Sequence, residues 1–158
     1  MSFPVDKIRK DFPVLGQLNR GKPLVYLDNA ATTQRPISVV EATSSFYLES
    51  NANVHRGIYE LGEKATQIYE ESRIRVAKFI NAEPSSIIFT KGTTDSINLV
   101  ANGWGRKFLK KGDEILISEM EHHSNIIPWQ LIANSVGAVI KYIPLRVDGN
   151  LDLQNFKK

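Results

Sequence analysis

The chain of 158 residues is long enough for about one domain, and its composition, 42% hydrophobic and 23% charged, is typical of a globular protein rather than a disordered chain or a coiled coil. The net charge of +3 is small and no run of five basic residues occurs, so the sequence lacks the basic face of a nucleic-acid-binding protein. Cysteine is absent, which excludes a disulfide scaffold, a cysteine-ligated zinc site and a thiol nucleophile supplied by these residues. No apolar run approaches the ~18 residues of a membrane span. Residues 1–12 are too polar for a signal peptide, and the acidic Asp6 and Asp11 argue against a mitochondrial presequence.

The first fifty residues predict an arm followed by a helix. Residues 1–23 form the arm, with a short helix or turn around 5–11. The apolar run 24–27 contains Val and Tyr and predicts a short strand. A loop of small residues follows, and apolar residues at helical spacing predict a helix from about Pro36 to Ser50.

The clearest predicted helix spans about Tyr59 to Ile80. Glu60–Lys64 and Glu71–Arg75 are i,i+4 ion pairs on its polar side. Six apolar residues recur at helical spacing and are expected to share one face: Leu61, Ala65, Ile68, Val76, Phe79 and Ile80.

From residue 87 the sequence alternates between strand and helix patterns. The predicted strands are 87–90, 114–118 and 139–143, and the predicted helices are about 95–109, about 125–137 and a last one beginning at 151. In the first of these helices, one face is expected to contain Ile97, Val100, Ala101, Trp104 and Phe108. Such alternation predicts an α/β protein with an open, mainly parallel sheet and helices on both faces. Residues 24–158 are therefore expected to be the front part of a larger α/β domain.

A polar turn, residues 91–95, separates a predicted strand from a predicted helix. The N–H groups of a helix N-terminus suit a phosphate, and the hydroxyls of Thr93 and Thr94 would add donors. The simpler interpretation of the spacing is that Thr94 or Asp95 caps the helix. The glycine and lysine spacings of the known nucleotide-binding loops are missing, so a nucleotide is not favoured.

Three other loops contain polar or small residues that could take part in chemistry. His122 follows a predicted strand, where an imidazole could stack on a planar ring or move a proton, although a plain polar loop explains the spacing equally well and a metal site is a distant third. His55 and Arg56 share a loop in which the guanidinium could bind a carboxylate or phosphate. The small residues after Asn29 would let a ligand approach, but a connecting loop is the simpler explanation. Asn125 is expected to cap the helix that follows it.

Taken in order, the motifs of these four loops resemble the class V aminotransferase family, and within it the SufS-type cysteine desulfurases. They are residues 26–33 (YLDNAATT), 54–57 (VHRG), 92–94 (GTT) and 119–125 (EMEHHSN). The resemblance extends over essentially the whole chain. It implies the large domain of a fold-type I transferase that uses pyridoxal 5′-phosphate (PLP).

The resemblance also implies roles for individual residues. Thr93 and Thr94 match the family's phosphate-binding turn, and His122 matches a histidine that stacks on the pyridine ring and assists proton transfers. Five residues match loops near the substrate: Asn29, Ala30 and Ala31 near its carboxylate, and His55 and Arg56 at its entrance. No residue is expected to bind a metal.

The implied activity is conversion of L-cysteine to L-alanine, with the sulfur transferred as an enzyme persulfide for iron–sulfur cluster assembly. The implied setting is a cytoplasmic homodimer with a Suf-type sulfur-acceptor protein, and neither a nucleic acid nor a membrane is an expected partner. The family's Schiff-base lysine and catalytic cysteine lie beyond residue 158, so the chain alone is expected to be inactive. The alternatives are another class V enzyme, such as a selenocysteine lyase or an aminotransferase, and a non-catalytic module that binds a phosphorylated ligand.

Overall fold

A computed structural model describes residues 3–156. The chain divides into two compact units, residues 1–87 and residues 88–158, and each is described by itself. The predicted division into an arm, 1–23, and a larger domain, 24–158, stays a prediction. Within the described residues, no helix combines the length and the apolar character needed to cross a bilayer.

The first unit begins with the predicted arm helix, α1 (Val5–Arg9), and a 3-10 turn (Pro13–Gly16). A two-residue hairpin follows, in which β1 (Leu18–Asn19) pairs antiparallel with β2 (Lys22–Pro23). The sequence did not indicate this hairpin. Its turn places Gly21 at a φ of +76°, a left-handed conformation that glycine adopts readily.

The strand predicted over residues 24–27 is wrong. This segment is not paired with a strand within the described chain. The N–H of Leu24 donates a backbone hydrogen bond to the carbonyl of Gln17, 3.1 Å away. Val25 is 74% exposed and Leu27 is 88% exposed. The apolar pattern was suitable for a strand, but a strand also needs a partner with which to share backbone hydrogen bonds.

Two long helices complete the first unit. α2 (Ile37–Glu49) begins directly after Pro36, as predicted, and α3 (Glu60–Phe79) confirms the clearest predicted helix to within one residue at each end. The Glu71–Arg75 pair forms with 4.0 Å between its charged atoms, whereas no ion pair joins Glu60 to Lys64 in the described chain.

The buried stripe of α3 differs from the predicted apolar face. Its buried residues are small: Gly62, Ala65 and Ala77. Of the six predicted positions only Ala65 is buried, and Phe79 is 89% exposed. At Gly62 the missing side chain lets the backbone of Gly57 come close to the helix, because a Cβ atom there would lie 2.7 Å from the Cα of Gly57.

The second unit contains the predicted strand–helix–strand unit. β3 (Glu114–Ser118) and β4 (Val139–Ile143) pair in parallel, with Glu114 opposite Val139 and Ser118 opposite Ile143. A helix, α6 (Ile127–Val136), connects them and packs against β4. It ends at Gly137, whose φ of +79° confirms the predicted C-terminal glycine. The parallel sheet of the α/β prediction is thereby confirmed.

The helix predicted over about 95–109 begins two residues earlier than expected and is interrupted. α4 (Thr93–Val100) passes into a π-helical segment (Ala101–Gly105) and then into a short α5 (Arg106–Phe108). The residues that this segment buries are Ala101 and Gly105, whereas Trp104 is 53% exposed. A Cβ atom on Gly105 would lie 3.3 Å from Cγ2 of Ile132 on α6, so the absence of a side chain lets the two helices approach.

Two further predictions about the second half of the chain are corrected. The strand predicted over 87–90 is absent, because this segment, like 24–27, is not paired with another strand among the described residues. The last helix, α7 (Leu153–Phe156), begins two residues later than predicted, and residues 157–158 of the prediction lie outside the described chain.

Candidate functional site

The turn before α4 presents an uncapped helix N-terminus. Gly92 is the N-cap residue, with φ 152° and ψ 179°, a backbone conformation that is essentially restricted to glycine. No side chain caps the helix, so the expectation that Thr94 or Asp95 would do so is wrong. The Asp95 carboxylate instead accepts a hydrogen bond from the N–H of Lys91, 3.2 Å away and before the helix begins.

The space in front of this turn is open. A Cβ atom built on Gly92 would meet no atom within 4 Å. The hydroxyls of Thr93 and Thr94 have no hydrogen-bond partner among residues 3–156. The first-turn N–H groups and both hydroxyls are therefore available to one ligand, and the partial positive charge of the helix N-terminus favours an anion.

Two hydroxyl side chains that the sequence reasoning missed hold this turn in shape. The hydroxyls of Thr90 and Ser96 are hydrogen-bonded to each other at 2.7 Å, and both oxygens lie 3.2 Å from the carbonyl oxygen of Gly92, to which the hydroxyl that accepts in that bond can donate. Their spacing of six residues across a glycine turn is the signal that could have revealed them.

His122 lies in the loop that follows β3. Its Nδ1 accepts a hydrogen bond from the backbone N–H of Ser124 at 3.2 Å and lies 2.9 Å from the Ser124 hydroxyl oxygen. The His122 ring is exposed, and the ring of His123 is perpendicular to it with 6.2 Å between centroids. The imidazole of His122 therefore has one nitrogen bound by its own loop and the other nitrogen open.

A chain of side-chain hydrogen bonds supports this loop. The Glu121 carboxylate accepts from the Ser118 hydroxyl at 2.6 Å and from the Asn125 amide at 2.9 Å, and the Asn125 oxygen accepts from the Trp129 indole N–H at 2.9 Å. These hydrogen bonds to the carboxylate lower the pKa of Glu121 below its ordinary value, and the bond from the Ser118 hydroxyl has a larger effect than the bond from the Asn125 amide. Asn125 does not cap α6 as predicted, because the N-cap residue is Ile126 and the Asn125 side chain is part of this chain of bonds.

Within the second unit, the helix that begins at the Gly92 turn packs against the histidine loop. α4, which begins at Thr93, lies against the 3-10 turn His123–Asn125 that directly follows His122. The structure thus brings together the two parts of the chain for which the resemblance implied a cofactor role.

In the first unit, the loop containing His55 and Arg56 is fixed to α3. The backbone of His55 is left-handed, with φ 69°, and its N–H donates to the Thr66 hydroxyl at 2.9 Å. Its Nε2 lies 3.3 Å from a carboxylate oxygen of Glu70. Arg56 is exposed, and its guanidinium has no partner in the described chain. This loop therefore holds His55 firmly and leaves Arg56 free to bind an anion.

Two glycines let that loop approach α3. A Cβ atom on Gly62 of α3 would lie only 2.7 Å from the Cα of Gly57, and a Cβ atom on Gly57 would lie 2.9 Å from the Cα of Gly62. Because the obstruction in both cases is backbone, a side chain at either position would force the loop away from the helix.

Asn29, Ala30 and Ala31 form an exposed turn, closed by a hydrogen bond from the N–H of Thr32 to the carbonyl of Asp28 at 3.1 Å. The Tyr26 hydroxyl donates to the Thr32 carbonyl at 2.6 Å and steadies the turn. A cavity of about 430 Å³ lies along the segment that follows the turn. The substrate roles of these three residues, and those of His55 and Arg56, stay predictions.

The second unit thus combines a parallel strand–helix–strand unit with an uncapped helix N-terminus and a histidine loop that packs against the same helix. The chain belongs to the class V aminotransferase family, whose sequence model matches residues 25–158. It is 52% identical over 151 residues to a probable cysteine desulfurase of Synechocystis sp., a match that covers 95% of this chain and 36% of that protein.

Two solved structures resemble this chain in three dimensions. The apo structure of a cysteine desulfurase from Thermococcus onnurineus superposes with a TM-score of 0.84 at 44% identity, over 98% of this chain and 37% of that one. A C-DES variant with glycine covalently linked to PLP superposes with a TM-score of 0.68 at 25% identity, over 87% of this chain and 33% of that one. The chain spans 23% to 38% of the length of three curated relatives that it matches.

Proposed function

We propose that this chain is the N-terminal part of a PLP-dependent cysteine desulfurase of the SufS type. In the proposed reaction, L-cysteine and an enzyme thiol give L-alanine and an enzyme persulfide. The observation that carries the proposal is the uncapped turn at Gly92, at the start of a helix that packs against the His122 loop, in a chain 52% identical to a probable cysteine desulfurase.

The described residues fit the phosphate of PLP. The turn offers backbone N–H groups, two unpartnered hydroxyls and a glycine whose missing side chain leaves open space. In the proposed enzyme Thr93 and Thr94 hold the phosphate, and the exposed ring of His122 provides a flat surface for the pyridine ring. When bound, PLP supplies an electron sink that stabilises negative charge on the substrate's α-carbon.

The substrate side of the proposal rests on the first unit. Arg56 has a free guanidinium that would attract a carboxylate, and the bond between His55 and Thr66 keeps the Arg56 loop in place. The small residues Asn29, Ala30 and Ala31 would let the substrate carboxylate approach the backbone. In the proposal, these residues orient the substrate, and the thiol nucleophile is not among them.

The thiol that would accept the sulfur is not among these 158 residues, which contain no cysteine. The 158-residue chain alone is therefore expected to release no alanine from cysteine. The proposal has four further parts, which rest on the family resemblance alone. They are a homodimer, a Suf-type sulfur acceptor, a role in iron–sulfur cluster assembly and a cytoplasmic location.

The test is product analysis of the full-length protein supplied with PLP, L-cysteine and a reducing thiol. A desulfurase forms alanine and sulfide in equal amounts. Pyruvate with ammonia would indicate a C–S lyase, turnover confined to selenocysteine would indicate a selenocysteine lyase, and amino transfer to a keto acid would indicate an aminotransferase. Each of these three results contradicts the proposal.

A matched pair of glycine variants tests the turn that carries the proposal. Gly92→Ala forces alanine into a glycine-only conformation at a cost of about 1–3 kcal/mol, and if the turn relaxes, PLP affinity should fall by roughly 5- to 150-fold. Gly103→Ala is the control, because it lies in the π-helical segment with no atom within 4 Å of its Cβ position and no positive φ. Equal PLP affinity in the two variants, measured by absorbance titration, would contradict the assignment.

A further inference from the structure

The two nitrogens of the His122 ring have different surroundings. Nδ1 faces the loop, where the backbone N–H of Ser124 lies at 3.2 Å and its hydroxyl oxygen at 2.9 Å. Nε2 has no hydrogen-bond partner among residues 3–156. The ring is therefore bound by its own loop through one nitrogen and is open to a ligand through the other.

These contacts fix which nitrogen carries the proton. A backbone N–H can only donate, so Nδ1 must accept and cannot hold a proton while this bond exists. In a neutral imidazole the proton is then on Nε2. The Ser124 hydroxyl can donate or accept, and opposite an unprotonated Nδ1 it donates.

We propose that Ser124 is a positioning residue that holds His122 in the Nε2-protonated tautomer, so that the resting ring presents a hydrogen-bond donor, and not a base, to the group bound beside it. The identity of that group rests on the function proposed above. A ring in this state cannot accept a proton at Nε2. It could accept one only at Nδ1, which would require the bond from the Ser124 backbone N–H to break and the Ser124 hydroxyl to become the acceptor.

Hydrogen bonds within the loop keep Ser124 next to Nδ1 of His122. Ser124 lies in the 3-10 turn, in which the N–H of Asn125 donates to the carbonyl of His122 at 2.7 Å. The Glu121–Asn125 bridge joins the residues on either side of the His122–Ser124 segment at 2.9 Å. The backbone donor to Nδ1 is thus part of a closed turn and does not depend on a side-chain rotamer.

The tautomer can be read by ¹⁵N NMR of the histidine rings in the full-length protein without PLP, at a pH at which the rings are neutral. His122, assigned from a His122→Gln spectrum, is expected to carry its proton only on Nε2. His123 is an internal control, because neither of its ring nitrogens has a hydrogen bond in the described chain. A proton on Nδ1 of His122, or the same tautomer mixture as His123, would overturn the proposal.

Two variants separate the hydroxyl from the backbone. Ser124→Ala keeps the backbone N–H, so His122 should still carry its proton on Nε2, whereas Ser124→Pro, which removes that N–H, should shift the ring toward the mixture seen for His123. A shifted tautomer in Ser124→Ala would show that the hydroxyl and not the backbone N–H holds the ring, and an unchanged tautomer in Ser124→Pro would overturn the proposal. Because the spectra need neither cofactor nor substrate, a negative result leaves the desulfurase proposal standing, and a failed alanine assay leaves the tautomer assignment standing.

Discussion

The carboxylate of Glu121 joins the end of β3 to the start of α6. Its oxygens accept from Ser118, which is buried at the strand end, and from Asn125, which is bonded in turn to Trp129 of α6. Hydrogen bonds to an ionised carboxylate are stronger than those to a neutral one. The pKa of Glu121 is lowered for this reason, with Ser118 as the larger cause.

This pKa shift predicts an acid-dependent loss of stability. A carboxyl whose pKa is lower in the folded state stabilises the fold above its ordinary pKa, and that contribution is lost as pH falls through the folded-state value. In the full-length protein, Glu121→Gln should therefore unfold more easily than wild type near neutral pH, and the difference should shrink below about pH 4.5. Urea unfolding at several pH values measures it.

Glu41→Gln is a suitable control for this experiment. Glu41 is exposed on α2 and has neither a hydrogen bond nor an ion pair among the described residues. Its substitution should change the free energy of unfolding little at any pH. A Glu121→Gln difference that is constant with pH, or that grows in acid, would show that the bonds to Ser118 and Asn125 do not favour the ionised carboxylate.

The residue scale also shows where sequence reasoning reaches its limit. His122 was identifiable because an imidazole after a strand is chemically distinctive. Asn125 was assigned to a helix cap, and Glu121 was given no role. The sequence alone does not distinguish an asparagine that caps a helix from one whose side-chain amide hydrogen-bonds to other side chains. Only the position of the Trp129 indole, which takes up the Asn125 oxygen, decides between them.

At the scale of elements, α3 is the support for the loop that contains Arg56. The Thr66 hydroxyl accepts from the N–H of His55 at 2.9 Å and donates to the carbonyl of Gly62 at 2.8 Å. On the same helix, the Glu70 carboxylate lies 3.3 Å from the His55 ring and 3.0 Å from Arg73. The loop is therefore held by one backbone bond and one side-chain contact to consecutive turns of α3.

Thr66→Val is expected to loosen this loop. The substitution keeps the size of the side chain but removes the acceptor for the His55 N–H, which should cost about 0.5–1.5 kcal/mol. In the full-length protein, hydrogen exchange at the His55 amide should become faster and the free energy of unfolding should fall by that amount.

Thr43→Val is the matched control for this change. The Thr43 hydroxyl also donates to the carbonyl four residues earlier, at 2.8 Å from Val39, but it accepts no bond from a loop. Its effect should be within about 0.5 kcal/mol of zero. Equal destabilisation by the two substitutions would mean that the loss comes from the helix and not from the loop.

Most helices were predictable from the sequence, but two of the four strands named from it were not found. The spacing in α3 is local information, because a helix satisfies its own backbone groups. The segments 24–27 and 87–90 have strand-like composition but are not paired with another strand among the described residues, whereas 114–118 and 139–143 pair with each other. Strand prediction therefore depends on residues distant in sequence, which composition alone does not show.

At the scale of the whole molecule, the chain exposes many large apolar side chains. Ile58 is 98% exposed, Phe79 is 89% exposed and Leu48 is 84% exposed. The relatives are about three to four times as long as the matched region. Exposed apolar groups in such number usually indicate a surface that another part of a protein, or another molecule, covers.

We therefore expect the 158-residue chain, expressed alone, to associate in solution and to bind hydrophobic dyes. Size-exclusion chromatography coupled to light scattering measures the association, with the full-length protein at the same concentration as control. A monomer with a single cooperative melting transition would contradict this expectation and would favour a self-sufficient phosphate-binding module.

The π-helical segment between α4 and α5 is a place where an alignment of related sequences can contain a gap of one residue. A π turn holds one residue more than the α-helical turn that it replaces, so it is equivalent to a single-residue insertion. Loss of the exposed Gly103 would let residues 101–105 close into an ordinary α-helical turn, with the flanking helices kept in place. A gap of one residue here is a local event, whereas the same gap inside α3 would rotate every later side chain of that helix by about 100°.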